Sequence, residues 1–310
     1  MRSAAERRLA VAIALACACG NLSNEDVAYL EAIPQRGALR LSVPAGASGQ
    51  PACAIGPADV WTSARTTGDA INAGLDGILA MVETIRGFPP STRAPDQRTW
   101  GPWPDQSHPG VQARVVIARE LDAQGVPWRW IYTFAARRPP GDWLPILEGE
   151  FFGAQARDGV GRLVIHFENS RALGIANPKD PTFPGRLYYD LTGDPRTISL
   201  DLTDNPLGFG LVGFDYFWAG YNDGHGRFDY ALPPDANGCR AEVTTWFTAA
   251  GNGKGALHIH CPLVVDGYSN ICWDQSSCLT YVDDPFAVIA ACNGVKPCKL
   301  GNAASCPALP

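Results

Sequence analysis

The chain has 310 residues, with 25 lysines and arginines against 31 aspartates and glutamates and a net charge of −6. That acidic balance excludes a nucleic-acid partner, which would need a basic face. Beyond the first twenty residues no run is long and apolar enough for a transmembrane helix, which takes ~20 apolar residues.

The first element is tripartite. Arg2, Arg7 and Arg8 give a basic start, Leu9 to Ala18 is a short apolar stretch, and small residues precede a cysteine. This is the layout of a secretory signal, too short to span a bilayer. A signal ending in Ala-Cys, as in "ALACACGNLSNED" (14–26), resembles that of a bacterial lipoprotein. The resemblance implies that Cys19, with Cys17 as the alternative, becomes the first mature residue and carries the lipid. Cys19 is preferred because "NLSNED" follows at once, and Gly20 rather than Asp implies outer-membrane delivery. Residues 1–18 are then the signal peptide, and the mature chain sits at the cell envelope, periplasmic or surface-exposed, held to the membrane by its lipid.

Eight cysteines follow the anchor: Cys53, Cys239, Cys261, Cys272, Cys278, Cys292, Cys298 and Cys306. An even number in an oxidising compartment predicts four disulfides. A cysteine zinc site would want a reducing compartment or close Cys-x-x-Cys pairs.

Ser23 with Asp26 three residues on predicts a capped short helix with Val27, Leu30 and Ile33 on its apolar side, stopped by Pro34. "ALRLSV" (38–43) alternates as a first strand, and residues 44–57 read as a Pro/Gly/Ser linker. Over residues 58–86, Val60, Ala64, Ile71, Leu75, Ile78, Leu79, Val82 and Ile85 form one apolar stripe, predicting a long helix packed on a sheet. From residue 98 to about 282 nearly everything reads as strands. Ten are predicted, from "VQARVVIARE" to "ALHIHC", separated by Gly, Asp, Asn and Pro clusters at hairpin spacing. A sheet of that size must curl or close.

A Gly-rich turn recurs before the strands "GRLVIHF", "GRFDYAL" and "KGALHIH". Calcium loops would need several carboxylates at alternate positions, so these are hairpin turns needing positive φ. Centring the third turn on Ala250 places Cys239 opposite Cys261, Ala241 opposite Ile259 and Val243 opposite Leu257, which predicts a cross-strand Cys239–Cys261 disulfide. Arg240 then lies beside His260 and Glu242 beside His258. The two histidines of "HIH" are taken as paired with these charges, because no third ligand stands at a motif spacing. No metal site and no cofactor are predicted.

In "WRWIYTF", Trp128, Trp130, Tyr132 and Phe134 alternate onto one face. Four such rings carry roughly 600–1,000 Å², more than the ~300–600 Å² of the largest patch a soluble monomer exposes. The long helix is the nearest cover, and any shortfall leaves a groove. Trp128, Trp130, Tyr132 and Trp218 are therefore the candidate ligand-binding residues.

A curved antiparallel sheet around a helix on a lipid-anchored chain loosely resembles the LolA/LolB-like half-barrels in architecture. At finer grain, "CGNLSNEDVAYLEAIP" (19–34), "RTWGPW" (98–103) and "CWDQSSCLTYVDD" (272–284) resemble an uncharacterised Gram-negative lipoprotein family. That resemblance implies envelope localisation and a one-domain architecture, and carries no catalytic residues.

No nucleophile elbow, Walker loop, dinucleotide fingerprint or zinc-protease motif is present. Glu148 and Glu150 on one strand face, with Glu168 on a neighbouring strand, are the carboxylates a glycosidase would use. The sequence thus predicts an α+β, mainly β fold: a half-barrel or open barrel of about ten antiparallel strands wrapping one long helix. Residues 19–56 form anchor, short helix and linker, 57–284 the helix and sheet, and 285–310 a Cys-rich tail on the same domain. The expected role is non-enzymatic binding of an apolar small molecule, a lipid or an envelope protein. The alternatives are a carbohydrate-active hydrolase and a purely structural envelope protein.

Overall fold

Period-two alternation and glycine-punctuated turns build one open antiparallel sheet of fifteen strands, each paired with its neighbours in chain order. The strands are β1 (Thr92–Ala94), β2 (Gln97–Pro104), β3 (Gln112–Leu121), β4 (Pro127–Arg137), β5 (Leu144–Phe152), β6 (Val160–Ile165), β7 (Gly185–Asp190), β8 (Arg196–Leu202), β9 (Phe214–Gly220), β10 (Gly226–Leu232), β11 (Arg240–Phe247), β12 (Gly253–His260), β13 (Asp266–Trp273), β14 (Leu279–Asp284) and β15 (Cys298–Gly301). Three α-helices lie among the described residues: α1 (Asn24–Glu31), α2 (Asp59–Glu83) and α3 (Phe167–Ala172). The computed structural model describes residues 22–34, 37–44, 52–153, 159–177, 182, 184–202, 214–232, 238–261 and 266–309. The signal segment with Cys17 and Cys19 lies outside the described residues.

The ten expected strands are β3 to β12. The sheet continues by two strands before them and three after, which corrects the expected size to fifteen. Two of those five carry weak strand signals: β2 holds Gly101, Pro102 and Pro104, with its pairing to β3 irregular between Trp100 and Trp103, and β15 has only four residues.

"ALRLSV" is not a strand. Its Leu39 and Leu41 are buried, and the backbone of Leu41 is satisfied by one side chain. Asn72 of α2 accepts from the Leu41 N–H at 2.7 Å and donates to the Leu41 carbonyl at 2.9 Å. The amide thus does what a neighbouring strand would do.

The α2 stripe is buried at Ala64, Leu75 and Leu79, with Trp61 an added member. Trp61 stacks on Trp273 with ring centroids 5.1 Å apart and lies 5.2 Å from Phe247. At the far end, past a short 3-10 turn over Thr84–Gly87, the Trp100 indole donates to the Phe88 carbonyl at 3.0 Å. One apolar cluster therefore joins α1 and α2 to residues from every strand between β2 and β15.

Glycines stand opposite rings in the sheet. A Cβ on Gly149 would sit 2.1 Å from the Tyr132 ring across the β4–β5 pair, and one on Gly253 would sit 2.4 Å from the Trp273 ring across β12–β13. The rings occupy the space a Cβ would take, so a large side chain is accommodated against bare backbone at each place.

All eight cysteines pair: Cys53–Cys278, Cys239–Cys261, Cys272–Cys306 and Cys292–Cys298. The predicted Cys239–Cys261 bridge is present, and the β11–β12 register matches the expected one residue for residue. Cys53–Cys278 fixes the entry to α2 against β14, beside a Pro57–Cys278 bridge. The tail adds β15 to the sheet, and Cys306 ties it to β13.

Candidate functional site

The aromatic residues expected to line a groove are mostly core. Trp130, Tyr132 and Trp218 are 3%, 1% and 5% exposed, whereas Trp128 at the start of β4 is 46% exposed and leans on Phe152. Trp130 packs edge-on against Tyr29 of α1 at 5.3 Å, a cover the stripe of α2 did not predict. Burial lifts the Tyr132 phenol well above its usual range, with the neighbouring Tyr189 adding to the effect. Val27 of α1 is exposed and Tyr29 is buried in its place.

Space between helix and sheet exists elsewhere, at the entry end of α2. A cavity of about 370 Å³ lies over the inner face of β11 to β14, walled by Val60, Leu257, Ile259, Ile271, Leu279 and Ile289. Asp59 and Arg240 are the charged residues of its lining, and the half-exposed Val288 lines it as well. Alternation puts Ala241, Leu257 and Ile259 inward here, and the Cys239–Cys261 bridge holds the two strands at the cavity wall. The volume falls in the ~300–1,000 Å³ range of small-molecule pockets. On the α2 side of the same region Tyr230 donates to the Val60 carbonyl at 3.3 Å, and burial pushes its phenol up to about 12.

The carboxylates considered for glycoside hydrolysis face outward and are engaged. Glu150 is held by Arg129 and, at 2.5 Å, by Arg162. Glu148 and Glu168 clamp the two ring nitrogens of His166 at 2.7 and 2.8 Å. His166 is not within a strand: β6 ends at Ile165, His166 precedes α3 as its N-cap, and Glu168 sits in the first turn of that helix. His108 and His225 each pair with a nearby aspartate, Asp105 and Asp223.

A second constellation lies on the outer face of β11 to β13, behind the cavity. The registers align Arg240, His260 and Asp266 in one row and Glu242, His258 and Tyr268 in the next. Glu242, His258 and His260 bring one potential ligand atom each within 4.8 Å of one another. Asp266 Oδ1 lies 2.5 Å from His258 Nε2 and 3.2 Å from His260 Nδ1. The sequence reading found both histidines and Glu242 but missed Asp266, because it did not recognise β13 as the strand beside "HIH". A signal was available: "DGYSNICW" follows closely enough to return as a hairpin partner.

Among the described residues no helix is long and apolar enough to cross a membrane. No family model, curated protein or solved structure matches this chain.

Proposed function

We propose that this chain is a lipid-anchored envelope protein that binds a small apolar ligand between α2 and the C-terminal strands of its sheet, without catalysing a reaction. The supporting observation is the 370 Å³ cavity, whose lining is mainly aliphatic, with Asp59 and Arg240 as its charged members. Filling it removes apolar surface from water at ~25 cal/mol per Å², a driving force that asks for no specific polar contact. The ligand is thus assigned to the aliphatic end of the helix–sheet interface. The aromatic end at Trp130, Tyr132 and Trp218 serves as packing.

The open sheet is read as a half-barrel around α2. The anchor at Cys19 rests on the Arg-led apolar segment before it, and outer-membrane placement on Gly20. A glycosidase role for Glu148, Glu150 and Glu168 has less support, because each already partners a cation or an imidazole.

The deciding experiment is native mass spectrometry of the chain made in an oxidising compartment, before and after organic extraction. The expected result is a bound apolar mass that extraction removes. Ala241→Trp, which fills the cavity from β11, should abolish it while circular dichroism stays unchanged. A clean apo mass that persists after incubation with envelope lipids would sink the binding reading and favour a purely structural protein. Mass analysis of the N-terminal peptide tests the anchor separately, with acylation expected at Cys19 and lost in Cys19→Ser.

A further inference from the structure

The geometry points to a zinc-type divalent cation site on the outer face of β11–β13, with Glu242, His258 and His260 as ligands and Asp266 as the carboxylate that orients the imidazoles. Two imidazole nitrogens and a carboxylate are the mixed N/O donor set that Zn²⁺ takes. Bonds of ~2.0–2.1 Å to a tetrahedral ion hold ligand atoms roughly 3.3 Å apart. Three candidate atoms already lie within 4.8 Å of one another, and His258 Nδ1 is 3.9 Å from Glu242 Oε2. Glu242 is half exposed, so its side chain has room to turn toward the ion.

The surroundings are those of an oriented site. His258 Nε2 faces Asp266, which leaves Nδ1 on the side of Glu242. A metal-binding histidine that gives its other nitrogen to a carboxylate is the recurring outer-shell arrangement, fixing tautomer and ring direction. Tyr268 stacks on His258 with centroids 4.2 Å apart and planes 6° apart, so it restrains the ring and leaves both nitrogens clear. The Cys239–Cys261 disulfide flanks the row that contains His260, tying together the two strands that carry all three ligands. Three ligands leave a fourth position for water. Arg240 is the opposing group: it stands 3.8 Å from Glu242, as an exposed pair that costs little to part.

The test uses the full disulfide-bonded chain without a histidine tag, stripped with chelator and titrated with ZnCl₂ by calorimetry, with Co²⁺ absorption reporting geometry. The expected result is one Zn²⁺ per chain and a tetrahedral Co²⁺ spectrum. His258→Ala and His260→Ala should abolish both. Glu242→Gln should weaken binding at least about tenfold, and Asp266→Asn by about 10–100-fold, as for other outer-shell carboxylates. His225→Ala, on a distant turn, should change nothing. Glu242→Gln alters only an exposed side chain and keeps the test valid if a histidine variant misfolds. Absence of stoichiometric binding, or binding that survives His258→Ala and His260→Ala, overturns the proposal.

Discussion

Asp26 and Arg98, seventy-two residues apart, form a buried ion pair with Arg98 Nε 2.9 Å from Asp26 Oδ1, at 4% and 0% side-chain exposure. Asp26 also closes the capping box of α1 with Ser23 and accepts from Arg93 of β1. Arg98 in turn lies over the Tyr29 ring at 4.6 Å and reaches Glu25 at 2.6 Å. One carboxylate therefore starts the first helix and docks it on the first two strands of the sheet.

Removing either charge leaves the other buried. Arg98 keeps Glu25 and Asp26 keeps Arg93 as partners, so Asp26→Ala and Arg98→Met should each destabilise the fold by about 2–3 kcal/mol, below the ~3–5 kcal/mol of a buried charge left wholly unpaired. Urea unfolding followed by tryptophan fluorescence measures this. A loss under about 1 kcal/mol would mean that α1 docks independently of the pair.

The same carboxylate sets an acid response. Burial alone would raise the Asp26 pKa, but hydrogen bonds from Arg93, Ser23 and Arg98 outweigh it and hold the group well below the usual carboxylate range. A depressed folded pKa stabilises above the unfolded value of ~3.9, and that contribution is lost as pH falls below it. Melting temperatures between about pH 6 and 2 should drop more steeply below about pH 4 in the wild type than in Asp26→Asn. Parallel curves would refute the assignment.

The disulfides should differ in weight by the chain they close. Cys53–Cys278 spans 225 residues and Cys292–Cys298 only 6. Loop-closure entropy gives about 5 kcal/mol for the first and about 2 for the second. Paired Cys→Ser variants compared by denaturant midpoint test the ratio, and equal losses would show that closure entropy does not govern it.

Trp128 and Trp130, two residues apart on β4, should behave unlike each other. Trp130→Ala removes a ring packed against Tyr29 and should cost about 3–5 kcal/mol. Trp128→Ala removes a half-exposed ring and should cost under about 1 kcal/mol. Comparable losses would place Trp128 in the core as well.

Local patterning carried a long way here. The Gly-rich turn before "KGALHIH" set the β11–β12 register, because a one-residue slip would turn every apolar side chain outward. The cysteine pair at the end of that ladder followed from the same register. The long helix was legible from its 3.6-residue stripe. What local pattern could not show was which strand lies beside which cluster, or that Asn72 would stand in for a strand opposite Leu41. The cavity was equally hidden. The densest run of rings marked a filled interior, and the opening lay where aliphatic residues from four strands meet the start of α2.

By itself the sequence determined the strands β3 to β12, the long helix, the capped first helix and the pairing of Cys239 with Cys261, since each depends on period, turn chemistry or spacing within about thirty residues. Only the tertiary structure decided that Trp130 is covered by Tyr29, that Asp26 meets Arg98, and that Asp266 joins Glu242, His258 and His260. The physical reason is common to all three. Burial and charge neighbourhood depend on what the folded sheet brings together from other strands and helices, and alternation along one strand says which face a side chain takes but not what stands opposite it.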